Sequence, residues 1–164
     1  MILNRQRKYS PDVSALRIFV QQLKLALRLD RKDFNVCLVL DRQMRRLNGA
    51  YRRIHRPTDV LAFPWDGEAG QGLDGAHRRE FRNFLGDVVI SVETARRNAR
   101  VERHSGLAEI RWLILHGVLH LLGYDHERDQ GQMRRLELAL RERLGIACTR
   151  SSRGLKRPAK GWHG

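Results

Sequence analysis

The sequence predicts an α+β domain: a small mixed sheet of about four strands, packed with helices around one buried helix. Two observations carry this reading. Strand-like and helical runs alternate as far as Ser91, and helices dominate after it. The run from Leu113 to Leu122, LILHGVLHLL, is aliphatic except at His116, Gly117 and His120. A helix apolar on nearly every side belongs in a core. A chain of 164 residues is long enough to bury such a core as one domain.

Taken in order, Ile2 to Asn4 reads as a short first strand. Ser10-Pro11-Asp12 reads as a helix start, with Ser10 as the cap, proline in the first turn and an acid near the positive end. Leu16, Phe19, Val20, Leu23, Ala26 and Leu27 follow at helical spacing, giving an amphipathic helix to about Leu29. Phe34 to Leu40 is rich in β-formers and reads as a buried strand, with Cys37 as a small core residue. Asp41 is expected to cap a helix that carries Met44, Leu47, Tyr51 and Ile54 inward. Arg56-Pro57-Thr58-Asp59 breaks that helix. Val60 to Phe63 is the next strand, and the glycine-rich stretch 65–76 is a loop. Leu85 to Ser91 is the last strand, in which Asp87 reads as a turn or hydrogen-bonding residue.

Ser91 is expected to cap a helix reaching Arg103 that bears Arg96, Arg97, Arg100 and Arg103. That basic face is either solvated or tracks phosphates. Ser105 opens the apolar helix, and Gly123 suits its end because glycine takes the left-handed conformation cheaply. Asp129 and Gln132 read as a capping box for a last helix with Met133, Leu136, Leu140 and Leu144 facing inward. From Ala147 the chain is basic, without acids or periodicity. The expected organisation is a folded domain over 1–146 and a disordered basic tail over 147–164.

The formal charge of +14 comes from 32 basic against 18 acidic residues. Most of the basic residues are arginine, whose planar fork pairs well with phosphate, so nucleic acid is the expected partner. No segment joins a basic face to an apolar aromatic one, which argues against a membrane surface. No apolar run matches a membrane span and the N-terminus lacks a signal-peptide core, so a cytoplasmic protein is expected. Cys37 and Cys148 form no framework and read as free thiols.

The chemistry concentrates at His116, His120 and His126, spaced H-x3-H-x5-H. Residues four apart on a helix lie on one face at neighbouring turns. The turn at Gly123-Tyr124-Asp125 then returns His126 towards the first pair. Three neutral imidazoles leave one position open on Zn2+, as in a catalytic site; one zinc per chain is expected. Zinc peptidases with H-E-x-x-H carry their general base directly after the first histidine. Here that position is Gly117, so a peptidase would lack its base. Asp125 precedes a ligand and reads as a residue that orients an imidazole or, alternatively, as a base.

The run HGVLHLLGYDHE (His116 to Glu127) resembles the signature of the YbeY family of bacterial rRNA maturation factors. LNGAYRRIHRPTDVLAFP (Leu47 to Pro64) and LGDVVIS (Leu85 to Ser91) are similar to two further family blocks, in order and spacing. Ala62 stands where serine is usual, and Tyr51 where tryptophan is common. The resemblance implies a zinc site at His116, His120 and His126, with His116 and Arg52 serving catalysis. It implies a single-strand-specific endoribonuclease acting in rRNA maturation, at the 16S 3′ end, and in ribosome quality control. The small ribosomal subunit and ribosome-associated proteins would be the partners. Water and the ribose 2′-hydroxyl both fit as nucleophile. Two other readings stand beside this one: a non-catalytic ribosome-assembly factor with structural zinc, and another zinc hydrolase.

Overall fold

A computed structural model describes residues 1–65, 81–125 and 128–146. Most of the glycine-rich loop, His126, Cys148 and the basic tail lie outside the described residues. Among the described residues four strands and five helices follow in the order β1 (Ile2–Asn4), α1 (Val13–Ala26), β2 (Asp33–Val39), α2 (Asp41–Arg52), β3 (Val60–Pro64), β4 (Phe84–Ser91), α3 (Val92–Val101), α4 (Gly106–Leu121) and α5 (Gln132–Arg143). The sheet order is β1-β2-β4-β3. The first three of these are parallel, and β3 runs antiparallel to β4 on the edge. This is the small mixed sheet that the alternation of elements predicts.

Period-two alternation gives the sheet two different faces. Val36, Leu38, Val60, Ala62, Val88 and Ile90 join the main core, with residues of α1, α3, α4 and α5. Val39, Leu61 and Val89 point the other way and pack with Met44 and Leu47 of α2. Helix α4 is the centre of the main core: Trp112, Leu113, Ile114, Leu115, Val118, Leu119 and Leu121 are all buried. Its close seat on the sheet depends on Gly117, where a Cβ would come within 2.5 Å of the Val88 side chain.

Several helix starts differ from the sequence reading. Asp12, not Ser10, caps α1, accepting from the Ala15 amide at 2.8 Å. Leu40 holds the N-cap position of α2, and Asp41 is the first helical residue. The Asp41 carboxylate instead accepts from Ser91, Thr94 and Arg97, tying the start of α2 to the start of α3. For α5 the N-cap is Gly131, while Asp129 accepts from the amides of Gly131 and Met133 at 2.7 and 2.8 Å. Asp129 thus caps the turn, but from two residues further back than a capping box requires. Ser91 and Ser105 cap α3 and α4 as expected.

Helix α2 stops at Arg52 because Arg53 adopts the left-handed conformation, with φ of 56°. Tyr51 is 67 % exposed, with its ring edge against Phe63, and Ile54 lies beyond the helix. Neither is the inward residue that helical spacing suggested. Buried Asn48 secures the turn that follows, donating to the Arg56 carbonyl at 2.8 Å. Asp87 accepts from the Asn35 amide group across the sheet, the hydrogen-bonding role expected of it. Cys37 packs half-buried on the α2 side of the sheet, where burial, followed by the nearby Asp87 charge, pushes its thiol up.

The basic face of α3 is partly committed to the fold. Arg96 stacks over the Tyr9 ring at 4.7 Å and Arg97 pairs with Asp41 at 2.7 Å. Two of the four arginines therefore hold neighbouring segments, which neither reading of that face anticipated.

Candidate active site

The two helical histidines meet as their spacing dictates. His120 is buried and His116 partly so, and their Nε2 atoms face one another at 3.1 Å. Tetrahedral zinc with Zn–N bonds of about 2.0–2.1 Å holds two nitrogens about 3.3–3.4 Å apart. The pair therefore already stands close to the separation of two ligands on one zinc, and the donor set fits that metal. Among the described residues no cluster of three ligating side chains occurs; His126 lies outside them.

The opposite edge of the His116 ring is also engaged. Its Nδ1 lies 3.1 Å from Glu137 Oε1, and Trp112 Nε1 donates to the same oxygen at 2.6 Å. Burial alone would push the Glu137 carboxyl up. The His116 ring, the Trp112 N–H and the Arg141 charge outweigh burial and hold the group below the usual glutamate range. Arg141 stacks on the Trp112 ring at 5.0 Å, closing the cluster on its outer side. One turn before Trp112, buried Glu109 pairs with His104 at 3.0 Å, placing an acid in the first turn of α4, where the helix dipole favours it.

Trp112 and Glu137 escaped sequence reasoning. A contact between α4 and α5, 21 residues apart, leaves no trace in local spacing. One signal was available: Glu137 stands four residues after Met133, within the inward stripe of α5, where an acid is out of place.

The family model for endoribonuclease YbeY matches residues 2–145. An endoribonuclease YbeY of Desulforamulus reducens is 38% identical over 152 residues, covering 89% of this chain and 97% of the relative. That of Aquifex aeolicus is 41% identical over 125 residues, covering 74% and 77%. The solution structure of TM1509 from Thermotoga maritima superposes with a TM-score of 0.58 at 26% identity, covering 88% of this chain and 89% of that one. The chain belongs to the endoribonuclease YbeY family. These YbeY relatives carry the name of an RNA-cleaving hydrolase, which is the class of enzyme the histidine block implied.

The remaining candidates take their places around this YbeY scaffold. Arg52 is the half-buried last residue of α2, and exposed Arg53 follows it. Asp125 is half-buried and lies 3.5 Å from the Arg128 guanidinium; its carbonyl accepts from the amides of Arg128 and Asp129. Gly117 explains the missing peptidase base. The position after the first histidine points at Val88, and a glutamate there would have no room. Among the described residues, no helix is long and apolar enough to cross a membrane.

Proposed function

We propose that this chain is a zinc-dependent, single-strand-specific endoribonuclease of the cytoplasm. In this reading it matures rRNA, notably the 3′ end of 16S rRNA, and serves ribosome quality control on the small subunit. The observation that carries it is the His116–His120 pair, with Nε2 atoms facing at 3.1 Å on a buried helix, inside a YbeY-family chain. His116, His120 and His126 would hold one zinc ion. When bound, zinc polarises a phosphoryl oxygen and makes water a better nucleophile at neutral pH.

The chain's own residues supply the rest. The rigid helix α4 holds two imidazoles at one spacing, so little reorganisation accompanies substrate binding. Arg52 offers a planar fork to the scissile phosphate and offsets the charge that grows there. A charge of +14 draws an RNA strand in and makes its binding weaken with salt.

The test is cleavage of single-stranded and 16S 3′-end RNA by zinc-loaded protein, with metal content measured alongside. The wild-type protein should carry about one zinc and cleave RNA but not peptides. A folded His116→Ala/His120→Ala protein should lose both zinc and cleavage. Full zinc retention in that double variant would sink the metal assignment. Cleavage that survives zinc loss would make the metal structural.

A further inference from the structure

The Glu137 carboxylate is not among the ligands of the proposed site, yet it is built against one of them with care. Trp112 Nε1–H can only donate. Glu137 Oε1 is therefore an acceptor in that 2.6 Å bond. The same oxygen lies 3.1 Å from His116 Nδ1, so the hydrogen between them belongs to the ring nitrogen. A neutral imidazole carries one N–H, and a partner on one nitrogen decides where it sits. Proton on Nδ1 leaves Nε2 with its lone pair, and Nε2 is the atom that faces His120.

From this geometry we infer that Glu137 is a positioning residue. It holds His116 in the Nδ1–H tautomer and fixes the ring plane, so that Nε2 is a ready metal ligand before any metal arrives. Trp112 and Arg141 are the outer layer of the same device. Trp112 anchors the carboxylate oxygen, and Arg141 covers the indole. Three residues thus prepare one ligand. Glu137 and Arg141 are four apart on α5, so one face of that helix presents both to α4.

The inference deepens the proposed metal site and rests on it, so the test reads two things separately. Long-range 1H–15N spectra of the metal-free protein report the His116 tautomer. Competition with a chromophoric chelator reports zinc affinity. Wild-type protein should show His116 protonated on Nδ1. In E137L no acceptor remains, so the proton should move largely to Nε2 and zinc affinity should fall about 100-fold. E137Q keeps the volume and an acceptor, and Trp112 holds its amide oxygen in place. Its tautomer should be unchanged and its affinity should drop only about tenfold, from the lost charge. Wild-type zinc affinity in folded E137L overturns the inference, as does an Nδ1–H His116 in that protein. If E137L fails to fold, the metal-free wild-type protein decides: a His116 ring protonated on Nε2 overturns the inference. A wild-type protein that binds no zinc would instead sink the metal site itself, while the tautomer spectra would still test Glu137.

Discussion

The two faces of the sheet are built by different rules. On one, α4 sits so close to β4 that a glycine is required opposite Val88, and its buried surface is aliphatic apart from a few paired polar groups. On the other, among the described residues, helix α2 covers a small cluster of Val39, Leu61, Val89, Met44 and Leu47, and its outer side carries Arg42, Arg45 and Arg46 in water. The first face tolerates almost no change in volume, because packed interiors have no spare space. The second tolerates many side chains and devotes its surface to charge. The two helical ligands of the proposed metal stand on the tight face. The Asp41 cluster joins the two faces, since it ties α2 to α3 where β2 and β4 end.

The largest effect should come from the tight face. Gly117→Glu recreates the H-E-x-x-H pattern of zinc peptidases but forces a side chain into Val88. The outcome should be loss of folded protein, seen by circular dichroism, with no gain of peptidase activity. Gly117→Ala should leave a folded protein destabilised by about 1–3 kcal/mol in urea titrations. A Gly117→Ala protein as stable as wild type would show that the two layers have slack.

Arg52→Ala should lower single-turnover cleavage about a hundredfold with zinc still bound. Arg53→Ala should weaken RNA binding modestly, and Arg52→Lys should rescue only in part, because an ammonium lacks the planar fork. Equal cleavage rates for the Arg52→Ala and Arg53→Ala proteins would reduce Arg52 to one charge among many.

The smallest effect belongs to the clasp between the faces. Burial would raise the Asp41 carboxyl, but bonds from Ser91, Thr94 and Arg97 prevail and hold it below its ordinary value of 3.8. A depressed carboxyl stabilises the fold above its unfolded pKa, and that contribution is lost as pH falls through the folded one. Asp41→Asn should therefore cost about 1–2 kcal/mol at neutral pH. The deficit should vanish as pH drops well below 3.8. A constant deficit across that range would locate the cost in packing and not in charge.

How legible these features were depends on the range of the interaction behind them. Four strands, the helices between them and the buried character of α4 follow from local periodicity, which Leu16, Phe19 and Leu23 or Val36 and Leu38 display without help. The His116–His120 contact was legible for the same reason, being one helical turn. The cap of α2 was misread because its carboxylate has a distant use: Asp41 looked like a cap but answers to Ser91, Thr94 and Arg97, about fifty residues away. Ile54 looked inward because helical spacing was extended past Arg52, and only the left-handed Arg53 ends the pattern. Glu137 was invisible as a partner of His116 because that contact is made between helices.

Gly117 also bears on ancestry. If Gly117→Glu unfolds the chain as expected, a lineage carrying this helix cannot reach the peptidase pattern by that one substitution. Val88 would have to shrink beforehand, and a cavity at the centre of the sheet would have to persist until the larger residue arrived. The order of events is thereby constrained: space first, base second. The contact between one glycine and one valine acts as a ratchet that keeps this histidine pair out of peptidase chemistry.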